Sequence, residues 1–159
     1  MRVRILAVGK VKEAFFREAA AEYQKRLGRY CRLEIVEVAD ERTDENASPA
    51  QVEAVLEREG SRLLSQIRDG EYVVALAIGG KRLDSPGLAE KIRLLGLSGR
   101  SSVSFVIGGS WGLSKSVLSR ADFSLSFSDM TFPHQLMRVI LLEQVYRSFR
   151  IICGEPYHK

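Results

Sequence analysis

Short apolar segments alternate along this chain with segments of helical periodicity, and this alternation limits the fold more than any other feature. Residues 72–78 are apolar throughout, which is typical of a strand buried on both faces. Residues 13–27 instead repeat apolar side chains three and four positions apart, as one face of a helix does. Strands and helices that alternate in this way predict an α/β fold, with a mainly parallel sheet flanked by helices.

The same periodicities predict five strands and five helices. The strands are expected at residues 3–8, 33–38 (near an edge of the sheet), 72–78, 103–107 and 123–127. The helices are expected at residues 13–27, 49–67, 85–96, 115–121 and 131–153. Ser48, Pro49 and Gln51 form the signature of a capping box at the start of the second helix. The glycines at 79–80 and 108–109 are expected to end the third and fourth strands.

Composition indicates a globular protein, which we expect to form a single domain over residues 1–159. The chain has 24 Lys and Arg against 20 Asp and Glu, a net charge of +4. Residues 1–32 hold nine basic and three acidic side chains, which could face phosphates or be an ordinary solvated surface. Only two cysteines occur, far apart, which disfavours a disulfide framework or a zinc site. No targeting or membrane segment is recognisable, so we expect a cytoplasmic protein.

Three of the predicted strands end in unusual loops, which belong to residues 78–81, 107–112 and 127–132. In parallel sheets ligands bind at the carboxyl ends of strands, and glycine lets a ligand approach the backbone closely. These loops therefore favour a ligand pocket over plain turns. A dinucleotide fingerprint, a Walker A loop, a serine hydrolase motif and a metal-ligand cluster are all absent, so no metal is expected.

The last predicted helix carries an arginine on an otherwise apolar face. His134, Arg138 and Leu141 share this face with Val145, Phe149 and Ile152. An arginine there must snorkel, form an ion pair, or face a partner or a substrate. Further apolar residues, Val139, Leu142 and Tyr146, widen the apolar surface, which indicates either a homodimer interface or a helix buried within the chain. Glu143 and Arg147 are spaced as an ordinary surface ion pair.

Several motifs resemble those of the SPOUT superfamily of methyltransferases. These motifs are FVIGGSWGL at 105–113, LSFSDMTFPHQ at 125–135, RVILLEQVYR at 138–147 and PYHK at 156–159. Together with ILAVGK at 5–10, they resemble more narrowly the ribosomal RNA large subunit methyltransferase H family. The resemblance spans the whole chain; it is most specific in residues 105–159 and weaker in 40–70.

The resemblance implies transfer of a methyl group from S-adenosylmethionine to N3 of a pseudouridine in 23S rRNA, within the assembled ribosome. It also implies a C-terminal trefoil knot, which periodicity alone does not predict, and a homodimer. The residues that it places against the cofactor are Leu76, Gly108, Phe127, Ser128, Asp129, Met130, Thr131 and Phe132.

Methyl transfer to a ring nitrogen requires positioning and the loss of a proton, so a triad or a metal is not needed. A cation near the pyrimidine would favour its deprotonated form. Arg138 is the first candidate for this catalytic role, with His134 and His158 beside it. Tyr157, Phe132 or Trp111 could stack on the target base. Two other classes of function stay open from the residues: an RNA-binding module without a cofactor, and a different nucleotide-binding α/β enzyme.

Overall fold

A computed structural model describes all 159 residues. It contains five strands that alternate with five helices. The strands are β1 Arg2–Val8, β2 Arg32–Val38, β3 Tyr72–Arg82, β4 Ser102–Ile107 and β5 Phe123–Ser126. The helices are α1 Ala14–Leu27, α2 Pro49–Gln66, α3 Ser85–Leu97, α4 Lys115–Arg120 and α5 His134–Ile152. The strands form one parallel sheet in the order β2-β1-β4-β3-β5. The predicted α/β class is therefore confirmed, and β2 is an edge strand as expected. The knot stays a prediction.

Each face of the sheet is covered by its own set of helices. Side chains alternate between the two faces along a strand, so neighbours such as Ile5 and Leu6 belong to different cores. The core with Ile5 contains residues of α1, α3 and α5, whereas the core with Leu6 contains Leu63 of α2 and Val117 of α4. No helix is both long and apolar enough to cross a membrane.

The capping box predicted for α2 is confirmed by its hydrogen bonds. The backbone N–H of Gln51 donates to the Ser48 hydroxyl at 3.3 Å, and the backbone N–H of Ser48 donates to the Gln51 side chain at 2.8 Å. Pro49 follows as the first helical residue, where its missing N–H has no consequence. The sequence fully specifies where this helix begins.

The prediction that the glycine pair ends β3 is wrong. The strand continues to Arg82, and its pairing with β5 shifts register between Leu76 and Lys81. A Cβ atom on Gly80 would lie 2.7 Å from the Ser124 backbone, so glycine is required by the neighbouring strand. Gly80 therefore serves strand pairing in a bulged region, and the glycine pair belongs to the strand rather than to a loop after it.

Much of the wide apolar surface of α5 is buried inside the chain. Leu142 is completely buried and Tyr146 nearly so, in the core shared with α1 and α3. The rings of Tyr23, Tyr30 and Tyr157 pack around Tyr146 with centroid distances of 5.0–6.3 Å. At Leu142 and Tyr146, α5 is therefore a helix buried within the chain, and these two side chains are not available to a partner subunit.

Candidate functional site

A largely apolar cavity of about 890 Å³ lies at the carboxyl ends of β4 and β5, beside the point where the regular pairing of β3 ends after Leu76. Its volume is within the range of small-molecule sites, and its position is where parallel sheets bind ligands. Seven of the eight residues expected to contact a cofactor line it: Leu76, Gly108, Phe127, Ser128, Met130, Thr131 and Phe132. The structure therefore brings together residues that lie more than 50 positions apart in sequence.

Asp129 is the member of the expected set that does not line this cavity. Its carboxylate forms an ion pair with Arg82 at the end of β3, and both side chains are largely exposed. This ion pair links the segment after β5 to the end of β3. Asp129 thus stabilises the cavity wall from its outer side.

The loop after β4 turns tightly over residues 108–112. A Cβ atom on Gly108 would lie 2.2 Å from the carbonyl oxygen of Gly112, so no side chain fits between the two segments. Gly112 has a φ of +88°, which favours glycine, and its N–H donates to the Gly109 carbonyl at 3.1 Å. The chain's own backbone thus accounts for glycine at position 108. The backbone N–H groups of Ser110 and Trp111 donate no hydrogen bond within the chain and are available to a ligand.

The segment after β5 is shaped by its serines. The Ser128 hydroxyl accepts a hydrogen bond from the backbone N–H of Met130 at 3.0 Å, and the Ser126 hydroxyl donates to the Ser128 carbonyl at 3.2 Å. Such short-range bonds fix a turn. Pro133 then precedes α5, and the turn leaves Met130 exposed at the edge of the cavity.

His134, at the start of α5, is the one catalytic candidate that lines this cavity. Its ring is half-buried, and Nδ1 is buried without a hydrogen-bond partner. Burial lowers the pKa of His134, and the nearby Arg138 cation lowers it further. The imidazole is therefore neutral at pH 7 and able to accept a proton.

Arg138 lies one helical turn further and does not line the cavity. Its side chain is buried, with one guanidinium nitrogen 2.5 Å from Glu37 of β2 and another donating to the Gly9 carbonyl at 3.0 Å. The structure thus shows an arginine that joins α5 to the ends of β1 and β2. Through its charge it also acts on His134.

His158 lies elsewhere, beside a second cavity of about 520 Å³ that borders the first at Leu125 and Phe127. Arg147 holds the C-terminal tail: it approaches Nδ1 of His158 at 3.3 Å and donates to Glu143 at 2.6 Å. The ion pair expected from the spacing of Glu143 and Arg147 is confirmed. Within one chain, the three catalytic candidates therefore do not share one cavity.

Sequence reasoning missed a buried carboxylate next to the glycine loop, that of Glu59 on α2. Its pattern in the sequence is that of an ordinary charged helix residue, yet it is only 4% exposed. The available signal was the next residue, since glycine inside a helix often marks a close approach. A Cβ atom on Gly60 would lie 2.3 Å from the Ser114 hydroxyl, so α2 packs unusually tightly against this region.

One family model, described as "Predicted SPOUT methyltransferase", matches residues 1–158. The chain belongs to the SPOUT methyltransferase family. Two relatives of this SPOUT methyltransferase are both named ribosomal RNA large subunit methyltransferase H, and each match covers all of both chains. They come from Bifidobacterium adolescentis, with 58% identity over 159 residues, and from Clostridium beijerinckii, with 55%.

Solved structures show the same fold at low sequence identity. A probable methylase family protein from Haemophilus influenzae aligns with this SPOUT methyltransferase at a TM-score of 0.58 and 14% identity, over 99% of this chain and 70% of that one. A probable methyltransferase from Bordetella pertussis aligns at a TM-score of 0.57 and 16% identity, over 92% of this chain and 95% of that one.

Proposed function

We propose that this protein transfers a methyl group from S-adenosylmethionine to N3 of a pseudouridine in 23S rRNA, within the assembled ribosome. The observation that carries the proposal is the cavity at the carboxyl edge of the sheet, lined by seven of the residues that the family resemblance assigns to the cofactor. The relatives of 55–58% identity, named as large subunit rRNA methyltransferases, support the substrate class.

The residues of the cavity fit S-adenosylmethionine. Its wall offers apolar side chains such as Leu76, Ile107 and Leu125 to the adenine ring. The unpaired N–H groups of Ser110 and Trp111 are hydrogen-bond donors for the polar edges of a nucleoside or for a carboxylate. When bound, this cofactor supplies an activated methyl group on a sulfonium centre. No phosphate cradle is needed, which agrees with the missing phosphate motifs.

His134 is the side chain best placed to manage the proton of the reaction. Methyl transfer to N3 forms a nitrogen–carbon bond, breaks a sulfur–carbon bond and releases the N3 proton. A neutral imidazole at the cavity wall is a suitable acceptor for that proton. Burial lowers the pKa of His134, and the Arg138 cation lowers it further and adds positive charge behind the site. His158 belongs to the adjoining cavity and is the third candidate.

The surface around the cavity suits an RNA substrate. Lys10 and Lys12 are exposed near the start of α5 and form no ion pair, whereas Arg26 and Arg29 of the same basic region pair with Glu22 and Glu155. The backbone N–H of Lys12 donates to the Gln135 side chain, so this lysine stays next to His134. We assign phosphate contacts to the two lysines. Trp111, Phe132 and Tyr157 remain the candidates for stacking on the target base.

We also propose that the chain acts as a homodimer in the cytoplasm, where ribosomes are found. The edge of the cavity exposes four large apolar residues, Ile78, Trp111, Leu118 and Met130. A second subunit would cover such a patch, which is unusual on a monomer. We expect light scattering at micromolar concentration to give the mass of a dimer, and a monomer would contradict this part of the proposal.

A titration with S-adenosylhomocysteine tests the cofactor assignment. We expect saturable binding at one site per subunit, which an RNA-binding module without a cofactor would not show. The absence of binding in the micromolar to millimolar range would overturn the proposal.

A methylation assay tests the substrate. Ribosomes from a strain that lacks the modification are incubated with the protein and cofactor labelled in the methyl group, beside free subunits and naked 23S rRNA. We expect label in 23S rRNA of assembled ribosomes, and N3-methylpseudouridine after digestion to nucleosides. Ribosomes that carry uridine in place of the pseudouridine are the matched control, and equal labelling of both would contradict the proposed base specificity.

A further inference from the structure

Glu59 has an unusual environment for a carboxylate. Its Oε2 atom accepts a hydrogen bond from the backbone N–H of Glu41 at 3.0 Å, while Oε1 is buried and has no partner. A buried carboxylate oxygen without a hydrogen bond is costly, and native proteins contain few of them. Glu59 Oε1 therefore has room for a donor that the chain does not supply in this conformation.

This carboxylate lies directly against the glycine loop. A Cβ atom on Gly109 would be 3.2 and 3.3 Å from the two Glu59 oxygens, so Glu59 fills the space behind that residue. Gly109 itself lines the cavity, and the next residue, Ser110, has an unpaired N–H. Gly60 allows α2 to pack against Ser114, at the end of the same loop. Glu59 Oε1, an acceptor without a donor, and the Ser110 N–H, a donor without an acceptor, thus belong to segments that lie side by side.

The charges around Glu59 are mostly negative. Asp40 and Glu41 precede α2, and Arg62, one turn further along the helix, pairs with Glu41 at 2.6 Å. Burial raises the pKa of Glu59 above its ordinary value; the Glu41 N–H acts in the opposite direction, and the Asp40 charge raises the pKa further. The Arg62 cation acts to lower the pKa of Glu59, and His134 of α5 interacts with Asp40 rather than with Glu59 itself. The loop 108–112 contributes no charged side chain.

We propose that Glu59 is a positioning residue for the cofactor site, whose free oxygen accepts the backbone N–H of the loop 108–112 that the bound cofactor leaves free. This rests on the cofactor assignment made above. The loop and the carboxylate are adjacent but not hydrogen-bonded to each other, and the cofactor would hold the loop in the conformation that forms the bond. Glu59 does not line the cavity, so it acts through Gly109 and its neighbours.

A protonation change accompanies this step. An ionised carboxylate is the stronger acceptor, so the new hydrogen bond favours the charged form of Glu59. A fraction of the protein that holds a proton on Glu59 before binding releases it on binding. The affinity for the cofactor therefore rises as the pH increases through the range in which Glu59 titrates.

The test compares the wild type with Glu59→Gln by calorimetric titration with S-adenosylhomocysteine at pH 5, 6 and 7, each in two buffers of different ionisation enthalpy. We expect Glu59→Gln to bind about tenfold more weakly at pH 7, because a charged acceptor is replaced by a neutral one. We also expect Glu59→Gln to release fewer protons on binding than the wild type does, because its amide side chain does not titrate. His134 titrates in the same range, so the difference between the two proteins is the quantity of interest.

Thermal unfolding separates this role from a structural one. Glu59→Gln removes a buried charge, so its melting temperature should stay unchanged or increase at pH 7. Amide hydrogen exchange on ligand saturation should protect residues 108–112 less than in the wild type. Glu53→Gln, an exposed position on the same helix, is the matched control and should change nothing.

Two results would overturn the inference. One is wild-type affinity and proton release in Glu59→Gln. The other is a loss of affinity accompanied by a comparable loss of thermal stability, which would make Glu59 structural. If instead the wild type fails to bind S-adenosylhomocysteine, the proposed function itself is wrong.

Discussion

Buried charged groups differ in their hydrogen bonding between the amino and the carboxyl ends of the parallel strands. At the amino ends, Arg4 is buried and donates to both oxygens of Glu71 at 3.0 Å and to the Gln66 carbonyl at 2.8 Å. The Ser104 hydroxyl donates to the same carboxylate at 2.9 Å. At the carboxyl ends, Glu59, His134 and Arg138 each keep one buried polar atom without a partner.

This difference separates structural from functional charge. Buried polar groups are normally satisfied, and the network of Arg4 and Glu71 follows that rule. The unsatisfied atoms of Glu59, His134 and Arg138 lie beside the cavity or one turn from it, where a ligand or a loop movement can supply the missing partner. Thr43 Oγ1 and Arg150 Nε also lack a partner, and Arg150 contacts Tyr30 near the start of β2, so the contrast applies to the charges around the cavity and around Glu71. Changes at the amino ends should therefore affect stability, and changes at the carboxyl ends should affect binding and turnover.

The largest effect is expected from Glu71→Ala, which removes the buried partner of the Arg4 cation and leaves it only the partly exposed Glu34. Removing one partner of a buried ion pair typically costs about 3–5 kcal/mol of stability. Urea unfolding should show this loss, while the protein that remains folded binds S-adenosylhomocysteine as the wild type does. Glu53→Ala, at an exposed position, is the control.

The same pair predicts a pH dependence of stability. Burial acts to raise the pKa of Glu71, but its hydrogen bonds with the Arg68 backbone, Ser104 and Arg4 outweigh this and lower the pKa. The stabilisation is therefore present above the ordinary carboxyl pKa and is lost as the pH falls through the lowered value.

A Glu71→Ala variant whose free energy of unfolding lies within about 1 kcal/mol of the wild-type value would contradict the difference between the amino and carboxyl ends of the strands.

Arg138→Ala should affect turnover more than stability, because its partner Glu37 is partly exposed and can be solvated. A direct electrostatic contact with the reacting atoms is typically worth about 10²–10³ in rate, and Arg138, which acts through His134 from one turn away, should be worth no more than about 10². Methylation of ribosomes should fall by up to that factor, with the affinity for S-adenosylhomocysteine near that of the wild type. Arg138→Lys should restore only part of the rate, since an ammonium cannot bridge Glu37 and Gly9 as a planar fork does.

Melting temperatures of both variants are the control for Arg138. If Arg138→Ala keeps full turnover, or loses turnover only because it unfolds, Arg138 has a structural role like that of Arg4 and Glu71.

Gly108→Val should weaken cofactor binding while the rest of the fold survives. Its Cβ would collide with the Gly112 carbonyl, so the loop must move away from its present shape. Overpacking of this kind typically costs about 1–3 kcal/mol, which corresponds to roughly 10–100-fold in affinity if the strain is confined to the site. Titration with S-adenosylhomocysteine measures this loss.

Gly79→Val is the matched control for Gly108→Val, because nothing lies within 4 Å of a Cβ at that position. Normal binding by Gly108→Val would mean that the loop 108–112 does not contact the cofactor.

The smallest effect concerns the pH profile of methylation. His134 must be neutral to accept a proton, and its pKa lies below the usual histidine value because of burial and the Arg138 cation. Activity should therefore decline only at acidic pH. In Arg138→Ala the lost cation allows the pKa to rise, so the residual activity should decline at a higher pH than in the wild type. Identical profiles would show that Arg138 does not act on His134.

Local sequence determined most of the fold. The capping box at Ser48, the alternation along β2 and the apolar run of β3 each predicted the element that is present. The end of β3 was mispredicted because the glycine pair has the same local pattern in a bulge as in a loop. Only the pairing with β5, which brings Ser124 against Gly80, distinguishes the two.

The site was predictable to the extent that its residues follow strands. Because the carboxyl ends of β4 and β5 meet at one edge, beside the point where the regular pairing of β3 ends, residues such as Leu76, Gly108 and Phe127 were expected together, and they are. Glu59 and Glu37 escaped prediction because each looks like a solvent-facing charge in its own segment. Their contacts are with Gly109 and Arg138, which lie 50 and 101 positions away and leave no local pattern.

The order of the strands also constrains how this chain reaches its native state. β1 lies in the interior of the sheet, yet one of its two neighbours, β4, begins about one hundred residues later. During synthesis the first strand can therefore pair only with β2, and its other edge waits until most of the chain has left the ribosome. Contacts of such long sequence separation slow folding, so we expect refolding in milliseconds to seconds or longer. During synthesis Arg138 emerges after β4, so its bond to the Gly9 carbonyl can form only then. The cavity likewise needs a nearly full-length chain, because its lining extends from Leu76 to Met137.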